Sequence, residues 1–133
     1  MRSTAREVAF EVIFASRFTD TIDNGLKSAL AKKENLSTED LDYLDRILMT
    51  VEKHMDEFSE TVDKRSVAFP ESRIFPADIS ILFIALAEIL YEEDIPDIVS
   101  INEAANIASK YSSQKSASFI SGILSEIVRN KNV

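Results

Sequence analysis

The sequence predicts an all-α protein. Two glycines and three prolines among 133 residues leave little material for the tight turns that join strands. Apolar residues recur every three or four positions along most of the chain, which is the spacing of one helix face. Runs in which apolar and polar residues alternate, typical of half-buried strands, are missing. At this length we expect one domain, residues 1–133, that buries about two-thirds of its unfolded surface.

The first predicted helix begins at Thr4, which forms a capping box with Glu7, and continues to Phe18. A core stripe of small and branched residues follows helical spacing, and Phe10, Phe14 and Phe18 form a second stripe. Aromatic residues at this spacing are usually internal packing, so we expect both stripes to be covered. The alternative is that Phe14 or Phe18 is partly exposed and stacks on a base.

Two further helices are predicted before residue 66. The second runs from Asp20 to Leu30, with a start that Asn24-Gly25 can delay. The third begins at the capping residue Ser37 and extends, with a bend, towards Lys64. Its carboxylates follow the exposed phase of the helix, which favours a solvated face over a metal or acid–base site. The single histidine, His54, is expected to be an exposed helix residue.

A stiff break at Phe69-Pro70 and Phe75-Pro76 separates these helices from a very apolar segment, Ala77 to Tyr91. A helix that is apolar nearly all round is typical of a central position among other helices. Glu88 is its exception. A lone buried carboxylate is strongly unfavourable, so this side chain must reach solvent or be paired.

The stretch from Ile95 to Leu124 predicts two more helices joined by a serine-rich turn. Pro96 ends the preceding segment, because its ring removes a backbone donor and restricts the residue before it. Ser100 stands three residues before Glu103 and predicts a capping box for the fifth helix. We therefore expect that helix to begin near Ser100.

The sixth helix is expected to start after Ser112-Ser113-Gln114 and to present a broad apolar face from Phe119 to Val128. Gly122 lies inside this helix. A glycine there costs about 1 kcal/mol relative to alanine. We therefore expect another backbone, or a ligand, to approach Gly122 closely.

Charge is distributed unevenly along the chain, whose formal net charge is −8. Residues 1–33 carry six Lys or Arg against four Asp or Glu, residues 34–99 five against seventeen, and residues 100–133 four against two. If the basic ends meet in the fold, the molecule presents two faces of opposite sign, a field that steers charged partners. The alternative is a set of solvated helix faces with a chance imbalance.

Several classes of function are disfavoured. The chain has no cysteine, which excludes disulfides and thiolate metal sites and fits a reducing compartment. It has no phosphate-binding loop, nucleophile elbow or His/Asp/Glu cluster at ligand spacing, so we expect neither an enzyme nor a metal or cofactor. The longest apolar run, Ile79 to Tyr91, contains Ser80 and Glu88 and is too short to span a bilayer. A soluble, cytoplasmic protein is expected.

Two segments resemble the NusB family of transcription antitermination proteins. Ile101-Asn102-Glu103-Ala104 precedes Phe119-Ile120-Ser121-Gly122-Ile123-Leu124 at the distance found in the family, with Ile95-Pro96, Val99 and Ala108 also matching. At the N-terminus, Ala5-Arg6-Glu7 followed by Ala9 is similar to the family's A-R-E-x-A. The likeness covers almost the whole chain. Ala87 and Phe83 depart from it, because the family usually has Tyr and Arg there.

The resemblance implies two packed three-helix sub-bundles, here about residues 1–66 and 75–133, with the first helix near the last two. It also implies transcription regulation. The family member binds the boxA element of ribosomal RNA transcripts together with NusE, a ribosomal protein, and the pair helps RNA polymerase resist termination. The expected partners are therefore single-stranded boxA-type RNA, NusE and the RNA polymerase antitermination complex. The acidic middle of the chain would suit a basic ribosomal protein.

The resemblance also implies where RNA lies, along the N-terminal basic segment and the turn at residues 112–118. Lysines and short hydroxyls suit phosphate and sugar contacts. The family's arginine cluster is reduced here to two residues, which predicts weaker binding with a shallower salt dependence. Arg6→Glu should weaken RNA binding with little change in melting temperature, and a large drop in melting temperature would instead make Arg6 structural. The candidate RNA-binding residues are Arg2, Arg6, Phe14, Lys110, Lys115, Ser116 and Phe119.

Two alternative functions stay open from the sequence. One is a homodimeric NusB-like protein-interaction module with weak or lost RNA binding, favoured by the thin arginine segment and the aromatic stripe. The other is a targeting domain for an RNA-modifying enzyme, although the chain contains no catalytic domain.

Overall fold

Six helices make up the regular structure in the computed structural model, which describes residues 1–66 and 74–131. The described residues contain no strand, so the prediction of an all-α fold is confirmed. The predicted break at Phe69-Pro70 lies outside the described residues. The helices are α1 (Arg2–Ser16), α2 (Asn24–Lys33), α3 (Thr38–Arg65), α4 (Pro76–Tyr91), α5 (Asp97–Tyr111) and α6 (Gln114–Lys131).

The helix α4 occupies the centre of the molecule. It packs against α1, α3, α5 and α6, and every residue from Asp78 to Ile89 is buried. This confirms the prediction from its nearly continuous apolar sequence. Around it, α1 also packs on α2 and α3, and α5 packs on α6. The exact division into sub-bundles at about residues 66 and 75 stays a prediction.

Polar caps fix three helix starts. The Ser37 hydroxyl accepts a hydrogen bond from the Asp40 amide at 3.2 Å, and the Ser113 hydroxyl accepts one from the Ser116 amide at 3.0 Å. Both bonds satisfy amides that have no partner within the helix. The predicted starts of α3 and α6 are therefore confirmed. The Asp23 carboxylate caps α2, so that helix begins at Asn24 and not at Asp20.

Two predicted capping boxes are wrong. The helix α1 begins at Arg2, which leaves Thr4 inside its first turn. The helix α5 begins at Asp97, directly after Pro96. A proline ring holds φ at a value that suits the start of a helix, so Pro96 sets the boundary earlier than the serine pattern suggests. The side chain of Ser100 is thereby free to point into the interior, where its hydroxyl donates to Glu88 at 2.7 Å.

In the long helices, the burial of His54 and the surroundings of Gly122 differ from expectation, while the bend in α3 does not. The helix α3 bends at His54, where φ is −114° and ψ is 20°, so the predicted bend is confirmed. His54 itself is half-buried, because its ring stacks on Tyr91 of α4 with a centroid separation of 4.2 Å. A Cβ added at Gly122 would meet no atom within 4 Å. The expected close approach of another backbone to Gly122 is therefore wrong within this chain.

None of the helices in the described residues combines enough length with enough apolar character to cross a membrane.

Candidate nucleic-acid interface

Arg6 lies in the interior of the protein. Its side chain is about 5% exposed, its Nε donates to Oε2 of Glu88 at 2.7 Å, and its Nη2 donates to Oε1 at 3.2 Å. Its Nη1 lies 3.5 Å from a carboxylate oxygen of Glu103. Burial lowers the pKa of Arg6, but the Glu88 hydrogen bond and charge raise it further, so the guanidinium stays charged. The expectation that Arg6 is a surface arginine is wrong.

Glu88 is the centre of a buried polar network. It also accepts hydrogen bonds from the Tyr43 hydroxyl and from the Ser100 hydroxyl, and it is 1% exposed. Burial, followed by the negative charge of Glu88, raises the pKa of Tyr43. The network joins α1, α3, α4 and α5 through one carboxylate. The sequence had indicated that Glu88 either reaches solvent or is paired; it did not indicate that Arg6 is its partner.

Arg2 and the chain terminus share one carboxylate on α3. The Arg2 Nε donates to Oδ1 of Asp40 at 3.2 Å, and the terminal ammonium of Met1 lies 3.1 Å from Oδ2. The Arg2 guanidinium also lies 4.4 Å from the centroid of the Tyr43 ring. Burial raises the pKa of Asp40, but the two cations outweigh it and hold the pKa below its usual value. We call Met1, Arg2 and Asp40 the N-terminal cation cluster.

Lys110, at the end of α5, is paired with Glu7 of α1. Its Nζ lies 2.7 Å from Oε1 of Glu7, which also accepts a hydrogen bond from the Tyr111 hydroxyl at 2.8 Å. Burial raises the pKa of Glu7, but these two hydrogen bonds lower it below its usual value. Ser3 donates to Glu103 at 2.9 Å, one turn earlier on α1 and two turns earlier on α5. The first helix therefore lies beside the fifth, as the resemblance implied.

The second stripe of α1 runs from the core to the surface. The ring centroids of Phe10 and Phe14 are 5.9 Å apart, those of Phe14 and Phe18 5.4 Å, and Tyr111 lies 5.0 Å from Phe10. Phe10 is buried and Phe14 is half-buried. Phe18 is 70% exposed, because α1 ends at Ser16 and the chain turns away. The expectation that the whole stripe is covered is therefore wrong at Phe18.

Three of the predicted site residues meet in a cavity where α4 and α6 begin. It has a volume of about 350 Å³ and is mostly apolar, and we call it the α4–α6 pocket. Phe75, at its edge, is 68% exposed, and Phe119 is half-buried. Lys115 is exposed and forms no ion pair with the residues that the structure describes. The lining residues are Ile74, Phe75, Asp78, Ser113, Lys115, Ser116 and Phe119.

Asp78 is the acidic lining residue, and the sequence analysis did not single it out. It is 3% exposed, and its Oδ2 accepts a hydrogen bond from the Ser116 hydroxyl at 2.8 Å. Its Oδ1 is buried without a hydrogen-bond partner among the described residues. The only sequence signal was its place in the first turn of α4, directly after Phe75-Pro76. That position favours a carboxylate, because the helix dipole is positive there.

Apart from Phe14, which lies in the aromatic stripe of α1, the candidate residues thus form two groups. Arg2, Arg6 and Lys110 lie around α1 and α5, each with a carboxylate partner. Lys115, Ser116 and Phe119 lie around the α4–α6 pocket. In residues 1–66 and 74–131, no three His, Asp or Glu side chains are arranged to hold a metal ion.

Comparisons with known proteins agree with this fold. Residues 3–129 match the model of the NusB family. The transcription antitermination protein NusB of Natranaerobius thermophilus is 35% identical over 134 residues, covering 98% of this chain and 96% of the relative.

Two solved structures share the fold. The structure of T. maritima NusB gives a TM-score of 0.88 at 24% identity, covering 97% of this chain and 91% of the other. A crystal structure of the antitermination factors NusB and NusE in complex with dsRNA gives 0.86 at 19% identity, covering 97% and 96%. These confirm the NusB-like all-α fold. The chain belongs to the NusB family of transcription antitermination proteins.

Proposed function

We propose that this protein is a non-catalytic, RNA-binding factor that binds boxA-type single-stranded RNA of ribosomal RNA transcripts together with NusE. The observation that carries the proposal is the α4–α6 pocket, where an exposed Lys115, which forms no ion pair with the described residues, stands beside Ser116 and Phe119. A lysine and a hydroxyl suit the phosphate and sugar of RNA. An aromatic ring at the same place suits an unstacked base.

Membership of the family supports the proposed setting. The relatives are transcription antitermination proteins, and a protein of the same fold has been crystallised with NusE and RNA. We infer that this chain joins the RNA polymerase antitermination complex in the cytoplasm and needs no cofactor. The RNA-modifying alternative receives no support from the described residues.

The acidic face of α3 supports a basic protein partner. Glu39, Asp42 and Asp45 are exposed on its first turns, and Lys27 is the cation paired with Asp45. Charge complementarity of this kind speeds association and selects the partner more than it adds affinity. We infer that this face receives a basic ribosomal protein such as NusE.

The paired cations around α1 and α5 limit RNA affinity. For Arg2 or Lys110 to hold a phosphate, each must leave or share its carboxylate. Arg6 is buried, and if it left Glu88 to bind a phosphate, Glu88 would become an unpaired charge in the core. We therefore do not propose Arg6 as a direct RNA contact. Fewer phosphate contacts mean weaker binding with a shallower salt dependence. We therefore expect strong RNA binding only with the protein partner present.

The alternative function is a homodimeric interaction module that has lost RNA binding. The exposed aromatic end of the α1 stripe favours it, since Phe18 is 70% and Tyr111 is 39% exposed. So does the neutralisation of Arg2 and Lys110 by carboxylates of the same chain.

Titration of labelled boxA RNA, with and without NusE and at two salt concentrations, tests the proposal. Binding should be tighter with NusE and should weaken as salt rises. Lys115→Ala should reduce the salt slope by about 1, since one phosphate contact is lost. Lys33→Ala is the matched control, because Lys33 is an exposed lysine at the end of α2. Binding that is absent or independent of salt with NusE present would favour the homodimeric module, which sedimentation of the protein alone would then detect.

A further inference from the structure

The α4–α6 pocket lies where two helices begin. The N-cap residue of α4, Phe75, makes no side-chain capping bond, and Pro76 follows it directly. The first turn of α6 contributes Lys115 and Ser116 to the same pocket. Amides in the first turn of a helix have no intrahelical partner and carry partial positive charge. The pocket is therefore suited to a phosphate at its Lys115 side.

Asp78 places a carboxylate in the same pocket, and a carboxylate needs a hydrogen-bond donor where the Lys115 side suits an anion. One of its carboxylate oxygens is held by Ser116, and the other is buried without a partner among the described residues. An ionised carboxylate can only accept hydrogen bonds. Nearly all buried polar atoms in folded proteins have a partner, so an unpaired one points to a donor that is supplied from outside.

Two aromatic rings complete the arrangement. Phe75 is 68% exposed and Phe119 is half-buried, and both line the pocket. Its volume, about 350 Å³, is within the range of small-ligand sites. The pocket thus offers a flat apolar surface, a cation and a hydrogen-bond acceptor, which are the parts needed to hold a nucleotide with a splayed-out base.

We propose that the α4–α6 pocket holds one guanosine nucleotide of single-stranded RNA, with Asp78 as the specificity-determining residue. This rests on the proposed RNA-binding function and deepens it. Guanine presents two adjacent donors, N1–H and the N2 amino group, which match the two oxygens of a carboxylate. On the corresponding edges of adenine, cytosine and uracil, a donor stands next to an acceptor, which a carboxylate repels. A guanine base in this pocket would supply the hydrogen-bond donor that Oδ1 lacks among the described residues.

The test compares oligonucleotides that differ by one amino group. The complex of this protein with NusE is titrated with a short uridine-rich RNA containing a single guanosine, and with the same RNA containing inosine, which lacks the N2 amino group. We expect inosine to weaken binding about tenfold, the usual order for a paired base contact. A single adenosine should weaken it at least as much.

Asp78→Asn should make the guanosine and inosine RNAs bind equally while the salt dependence of both is kept. The asparagine can still accept the Ser116 hydrogen bond, and circular dichroism checks that the variant folds. Asp20→Asn is the matched control, since Asp20 is exposed and lies outside the pocket. Equal affinity of the unaltered complex for the two RNAs would overturn the guanosine pocket and leave the RNA-binding function standing. Absence of any RNA binding would overturn both.

Discussion

The cations around α1 and α5 differ from the cation at the start of α6 in what surrounds them. Arg2, Arg6 and Lys110 each contact a carboxylate of the same chain. Lys115 has no such partner in the described residues, and the nearby Asp78 keeps an unpaired oxygen. Under the proposed function, Lys115 is therefore the cation that can contact a phosphate without first leaving a carboxylate.

The three paired cations also differ among themselves. The pair Arg6–Glu88 is buried on both sides, whereas Lys110 is 61% exposed and Arg2 is 36% exposed. Breaking a buried pair leaves a charge in the core, while an exposed pair contributes little and is screened by salt. Arg6 is therefore part of the structure, whereas we propose that Arg2 and Lys110 can exchange their carboxylates for phosphates of RNA.

The largest effect is expected for Arg6→Ala. Removing the guanidinium leaves the Glu88 carboxylate buried without its charge partner, so the free energy of unfolding should fall by about 3–5 kcal/mol. Urea unfolding followed by circular dichroism measures this. Arg129→Ala, at a side chain that is 71% exposed, is the control and should change the free energy by less than about 0.5 kcal/mol. A comparably small change for Arg6→Ala would contradict its place in the interior.

For the pocket, Phe119→Leu should lower RNA affinity about tenfold, because stacking of a base on an aromatic ring contributes about 1–3 kcal/mol. Leucine keeps the apolar bulk of this half-buried position and removes the π-face. The affinity of the complex with NusE for labelled RNA is the measurement. The same substitution at exposed Phe18 is the control for a general effect of the aromatic surface. If Phe119→Leu binds RNA as tightly as the unaltered chain, stacking at this position is excluded.

At the N-terminal cation cluster we expect a substitution to raise RNA affinity, by less than Phe119→Leu lowers it. Asp40→Asn removes the charge that holds Arg2 and the terminal ammonium, so both become available to phosphates. RNA affinity at low salt should rise about two- to fivefold and the salt dependence should steepen. Glu34→Gln, which removes an exposed carboxylate at the end of α2, controls for the change in net charge. An unchanged or lower affinity would show that Asp40 does not compete with RNA.

The smallest effect is a dependence of stability on pH. The pKa values of Glu7 and Asp40 are lower in the folded protein than their usual values. The stability from these groups is therefore complete above the unfolded-state pKa values and is lost as pH falls through the folded ones, below about pH 4. Thermal unfolding from pH 7 to pH 2 measures this. Glu7→Gln should flatten the acid limb of the curve relative to the unaltered chain; an identical limb would contradict the stabilising role of the Lys110 pair.

Local chemistry explains the features that could be predicted. Ser37 and Ser113 cap helices because their hydroxyls are next to free amides in any fold that contains those helices. The apolar circumference of α4 demands neighbours on every side, so its central position followed from its composition. The same reasoning required Glu88 either to reach solvent or to be paired, and the fold pairs it with Arg6.

Other features needed the fold. Thr4 and Ser100 fit a capping pattern, but α1 begins at Arg2, and α5 begins at Asp97, directly after Pro96. Asp78 and Phe119 are 41 positions apart in the sequence, and nothing in the spacing indicates that they share a pocket. Contacts between distant segments depend on how whole helices pack, and a short motif does not encode that.

By itself, the sequence determined the helical class, the order of the six helices, the starts of α3 and α6 and the family, because periodicity, caps and motifs act over a few residues. Only the tertiary structure decided which cations keep a carboxylate partner and which do not. Arg6 and Lys115 look alike as basic residues near a helix start, yet one faces Glu88 in the core and the other faces solvent. Electrostatic pairing depends on distance in space, and folding brings residues 82 positions apart into contact.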